Sequence, residues 1–192
     1  WKGIGNRIAE GVGAEVLRAA PQKGVEQTRQ TGMRRIDQLR RQGILVPEIL
    51  AEGKGVLLLS DIGPSLSGQL KTAANDDRID ELVHAAVTAV AQAHGNGAYF
   101  GQAFARNITV CDKRIGFIDF EEDPLEMMSL ADVQARDWLM FSAGVSRHYE
   151  ERSDVLADML RQVRPVLHDD VIARLCHSAE RLRFVRRFTR YM

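Results

Sequence analysis

Apolar residues return at helical spacing over 25–42, where Met33, Ile36 and Leu39 share a face and Gly43 supplies the stop. The next stretch, 44–50, reads as extended and is broken by Pro47; a turn is expected at Glu52, Gly53, Lys54 and Gly55. Val56, Leu57, Leu58 and Leu59 form an unbroken apolar run, the pattern of a buried strand. Ser60, Asp61, Ile62, Gly63 and Pro64 then read as a connector. Asp76 and Asp77 open the strongest helix, predicted through His94, with Ile79, Leu82, Val83, Ala86, Val87 and Val90 on its apolar face. Gly95, Asn96 and Gly97 stop it. A tight loop ending at Asn107, a strand, a turn at Asp112 and Lys113, and a second strand ending at Asp119 follow. Three more helices are predicted over 130–144, 153–163 and 169–191. Residues 1–23 are Gly-rich and carry no clear period. The pattern predicts a small mixed α/β half over 1–62 and a mainly helical half over 63–192, an α+β class, with one hairpin at the junction.

Composition narrows the function classes. The 192 residues suffice for one domain or two small lobes around a cleft, and 45% hydrophobic content supports a core. Net charge is zero, so no overall field draws the chain to nucleic acid. Only Cys111 and Cys176 occur, outside any Cys-x-x-Cys spacing, which argues against a disulfide scaffold or zinc site and fits a reducing cytoplasm. No apolar run reaches the length of a membrane span. No signal peptide is visible; the chain opens on Trp1, which leaves upstream residues an open matter. The charge is nevertheless uneven. Arg181, Arg183, Arg186, Arg187 and Arg190 crowd the end, and with Leu175, Leu182, Val185 and Phe188 they describe an apolar stripe with a basic opposite face. That stripe reads first as a terminal helix packed on the helical half. Peripheral contact with the inner membrane, or with an anionic substrate, is the sharper alternative.

Four segments occur in a telling order. Gly43-Ile44-Leu45-Val46-Pro47 follows a helix; the apolar strand from Val56 ends in a small polar connector before Gly63; a helix ends at His94 ahead of a loop reaching Asn107; and Ile118-Asp119-Phe120 closes the hairpin. Arg136-Asp137-Trp138-Leu139 lies beyond. By these segments, spanning roughly residues 33–141, the chain resembles the protein-kinase-like superfamily. The likeness is greatest to its atypical bacterial branch of lipopolysaccharide core kinases, the KEOPS-complex kinase and the aminoglycoside phosphotransferases. The resemblance implies a two-lobed kinase-like fold with a reduced N-terminal lobe. It also implies ATP and Mg²⁺ as cofactors and a hydroxyl acceptor, a sugar or lipopolysaccharide-type molecule before a protein.

Carried over position by position, the resemblance gives Asn107 and Asp119 as metal ligands and Asp137 as a brace beneath the catalytic loop. Adenine is expected against backbone at Ser60, Asp61 and Ile62, and Arg106 near a phosphate. Two departures stand out. Gln102 occupies the place of the catalytic Asp, and an amide cannot take a hydroxyl proton as a carboxylate does. The family's helix Glu falls on Gly32, eleven residues before Gly43, so either Lys2 pairs with Glu26 as the phosphate clamp or the molecule lacks the pair. Glu121, Glu122 and Asp123 are candidate substitute carboxylates, Glu121 also a further metal ligand.

Each motif has a plainer reading. An acidic run is usually a solvated loop, and His94 reads as a buried histidine bonded to the hairpin rather than a catalyst. The Gly3, Gly5, Gly11, Gly13 pattern is a weak phosphate-loop signal without a preceding strand. Met127, Met128 and Met140 read as core filler. Two functions follow: a Mg²⁺- and ATP-dependent phosphotransferase of low activity, and a pseudokinase-type nucleotide-binding or scaffold module without catalysis.

Overall fold

The computed structural model describes residues 24–189, with side chains through Glu180. Lys2, the glycines at 3–13 and the basic side chains past Glu180 lie outside these residues. The first helix, α1 (Val25–Arg41), runs along the predicted stretch, with Glu26 in its first turn and Arg40 and Arg41 in its last, as the helix dipole favours. It ends because Gly43 takes φ 75°, a conformation open to glycine, while Ile44 N–H returns to Leu39 O at 3.0 Å.

Strands β1 (Ile49–Gly53) and β2 (Val56–Leu59) form an antiparallel hairpin, so the chain stays extended through Gly53 and turns only at Lys54 and Gly55. The expectation of a buried β2 is corrected: Val56 is 64% and Leu58 57% exposed. A two-stranded ribbon has two faces, and among the described residues it lays one toward α1, where Leu57 approaches Gly32. The other face carries the exposed Val56 and Leu58. An unbroken apolar run cannot reveal how many layers cover a strand.

A short helix absent from the sequence reading, α2 (Leu66–Thr72), follows, capped by Ser65 Oγ accepting from Gly68 N–H. Asn75 caps α3 (Asp76–Gly95), whose Leu82, Val83, Ala86, Val87 and Val90 are the centre of the core. The second hairpin joins β3 (Ile108–Cys111) to β4 (Arg114–Phe117) in antiparallel register. Its turn residues Asp112 and Lys113 both have positive φ, the two-residue geometry that matches strand twist. A bridge from Leu45 to Gly116 and another from Ser65 to Thr109 seat this hairpin between the two connecting segments. Helix α4 (Leu130–Val145) is buried over Val133–Trp138 and flanked by α6 (Asp169–Thr189), where Arg174 pairs with Asp132 at 3.1 Å and Ser178 is buried. Helix α5 (Ser153–Val163) packs on α3.

The molecule is thus α+β, with two small antiparallel sheets and helices around one core. Met127 is half exposed, not core filler, because the short 3₁₀ turn Pro124–Glu126 carries it outward. No helix among the described residues is long and apolar enough to cross a membrane.

Candidate functional site

Helix α4 carries polar side chains into the core, where each must find a partner or lose several kcal/mol of solvation. Their partners are the main chain of the last turn of α3 and of the loop between α3 and β3. Gln134 Nε2 donates to His94 O at 3.0 Å and to Ala98 O at 2.7 Å. Arg136 Nε donates to Gly101 O at 2.9 Å. Asp137, fully buried, accepts from Phe100 N–H at 2.7 Å and Ala103 N–H at 3.3 Å. Asp137 also meets His94 Nε2 at 3.2 Å, so His94 is structural but bonds the brace and not the hairpin.

From the other side Arg35 of α1, also fully buried, donates to Tyr99 O at 2.5 Å and lies 3.6 Å over the Tyr99 ring. Burial lowers the pKa of Arg35 and of Arg136, opposed by the Asp137 charge near both. Gly101 takes φ 84° with Pro124 so near that a Cβ would come within 2.7 Å of Cγ.

Held this way, the loop delivers Asn107 to Asp119. Asn107 Nδ2 donates to Asp119 Oδ2 at 3.1 Å and to Gln102 O at 3.0 Å, which leaves Asn107 Oδ1 and the exposed Asp119 carboxylate as oxygens for a cation. Asp119 sits at φ 71°, a left-handed backbone uncommon outside glycine that turns the chain directly after β4. No group of three or more His, Cys, Asp or Glu suited to a metal occurs among the described residues. Two hard oxygen ligands nevertheless fit Mg²⁺, which keeps most of its sphere for water and phosphate.

A cavity of about 390 Å³ reaches Asp119 but not Asn107, and its lining includes Arg29, Gly32, Leu57, Leu59, Asp119 and Glu121. Two larger cavities, of about 710 and 610 Å³, flank α3 and the β3–β4 turn and include neither Asn107 nor Asp119. The chemistry favours the smallest one.

The remaining candidates divide. Gly32 stands at the helix position where the resemblance puts a Glu; it faces Phe120 O, which a Cβ there would meet at 3.7 Å, and brings no carboxylate. Glu26 bonds Arg29 at 2.5 Å and Gln30 at 3.0 Å within α1, and its expected partner Lys2 lies outside the described residues. Ser60 is spent on Glu48, just ahead of β1: its N–H donates to Glu48 O, and its Oγ accepts from Glu48 N–H. Asp61 Oδ1 accepts from Gly63 N–H. None of Ser60, Asp61 and Ile62 lines the cavity beside Asp119, although Leu59 does. Arg106 is exposed and stacks 4.2 Å over the Phe104 ring. Sequence reasoning missed Arg35 and Gln134; a polar residue on an apolar helix face was the available signal.

Asp123 is corrected as a substitute base. It is buried, accepts from Tyr99 Oη at 2.7 Å and pairs with Arg34 at 2.7 Å. Burial by itself would raise its pKa, but the Tyr99 hydroxyl and the charges of Arg35 and Arg34 outweigh this and hold it below the ordinary range. Its stabilisation is therefore full above the unfolded pKa and lost as pH falls through the folded one. Asp123→Asn is expected to cost about 2 kcal/mol at neutral pH. Urea unfolding should show that gap closing below about pH 4, near the ordinary Asp pKa. A gap that persists undiminished in acid would mean that the charge is not what stabilises.

Neither a family model nor a curated protein matches the chain.

Proposed function

We propose that the chain is a kinase-like protein of two lobes that holds a Mg²⁺–nucleotide on Asn107 and Asp119. In this reading it transfers phosphate slowly to a hydroxyl acceptor, a sugar or lipopolysaccharide-type molecule being the preferred class. The observation that carries the reading is the 3.1 Å contact of Asn107 with Asp119 beside a cavity. The contact sits on a loop whose main chain is clamped by Gln134, Arg136 and Asp137. Phosphoryl transfer rests on positioning and charge neutralisation, so two oxygen ligands on a rigid loop are the parts it needs first. Bound Mg²⁺ would neutralise charge on the phosphates; Asn107 and Asp119 would orient it, and the clamp would keep them aligned.

A second reading, a nucleotide-binding module without turnover, is favoured by Gln102 and Gly32 at the two positions where carboxylates would act. Both readings share one test. Titration of ATP with and without Mg²⁺ should show metal-dependent binding that Asp119→Ala abolishes, with the unfolding midpoint little changed because Asp119 is exposed. Equal affinity in both proteins would place any nucleotide elsewhere.

A further inference from the structure

Arg29 stands three residues before Gly32 on the same face of α1 and lines the cavity that holds Asp119 and Glu121. Its side chain is 17% exposed and doubly anchored. Nε and Nη2 reach Glu26 at 3.0 and 2.5 Å, and Nη1 reaches Glu52 at 2.7 Å and Met33 Sδ at 3.1 Å. Of the five N–H donors of a guanidinium, these contacts engage four and, among the described residues, leave one on Nη2. The arrangement reverses the pair that the resemblance implies: here the helix carries the cation and a strand, β1, supplies an acid in Glu52.

We propose that Arg29 is the cation that receives the nucleotide's phosphates, oriented by Glu26 and Glu52; this rests on the nucleotide reading of the Asn107–Asp119 site. A guanidinium stays charged at every working pH and presents planar paired donors that match phosphate oxygens. The two carboxylates fix its plane while remaining half exposed, at 52% and 56%, where solvent screens them. A phosphate takes the open Nη2 donor and replaces the weak Met33 sulfur contact on Nη1.

Affinities of ATP, ADP and adenosine, all with Mg²⁺, measured on wild type, Arg29→Gln and Arg29→Lys decide the matter. Arg29→Gln is expected to weaken ATP about tenfold or more, ADP less and adenosine not at all, a loss that grows with phosphate charge. Arg29→Lys should recover part of it. A role in folding alone would not sort ligands by phosphate number. Should Arg29→Gln fail to fold, Arg29→Lys carries the test through its lowered preference for ATP over adenosine. An unchanged ATP-to-adenosine ratio in the folded variants overturns the assignment of Arg29. If Asp119→Ala loses ATP while Arg29→Gln does not, only that assignment falls. If wild type binds none of the three, the nucleotide reading falls and takes this inference with it.

Discussion

Asp137→Ala is expected to lower the unfolding midpoint by roughly 10 °C, the consequence of a loss of about 3–5 kcal/mol in a chain of this length. The carboxylate is fully buried and serves three donors: Phe100 N–H, Ala103 N–H and His94 Nε2. Alanine leaves these donors in a dry interior with no acceptor, and each unsatisfied group costs about 1–3 kcal/mol. It also removes the negative charge beside two buried guanidinium groups, Arg35 and Arg136. Asp137→Asn keeps the shape and one carbonyl acceptor and should recover part of the loss. Thermal unfolding of the three proteins measures this directly. A midpoint that does not move in the alanine variant would show that the loop is held without its brace.

If Gln102 is the only defect, Gln102→Asp is expected to raise any phosphotransfer or slow ATP hydrolysis by about 10²-fold, the ordinary worth of a positioned general base. The position is suited to the change, because the Gln102 side chain is half-buried and makes no hydrogen bond among the described residues. Its backbone oxygen, which holds Asn107 at 3.0 Å, is unaffected by substitution. Of the three acids after Phe120, Asp123 is committed to Tyr99 and Arg34, and Glu122 acts on the buried Arg136 charge. Glu121 is the one that lines the cavity. If Glu121 already supplies the base, Gln102→Asp changes little and Glu121→Ala removes the activity. A module without turnover answers to neither. Fast turnover by wild type that survives alanine at Glu121, Glu122 and Asp123 together would leave every base named here without a role.

Much of the order of elements was legible because it is local. The α1 and α3 periods, the glycine stops and the two-residue turn at Asp112 and Lys113 are each set within a few residues of chain. The approach of Asn107 to Asp119 was legible for the same reason, since one short hairpin brings them together. Burial of Asp137 followed from the resemblance and not from the pattern. What escaped was long-range. Arg35 reaching Tyr99 and Gln134 reaching Ala98 join residues 64 and 36 positions apart, and nothing in their own neighbourhoods names the partner. The exposure of β2 was misjudged for a related reason: an apolar run reports what a strand tolerates, not how many layers are stacked on it. Helix α2 has seven residues and too short a period to register.

The clamp on the loop grips carbonyl oxygens and amide nitrogens, never the side chain at 102. Any residue there inherits the same scaffold, so the loop's form and its reactivity are separable properties. One can be lost, or regained, without disturbing the other. In the proposed reading, a main chain fixed by Gln134, Arg136 and Asp137 lowers the ordering cost of binding at Asn107 and Asp119.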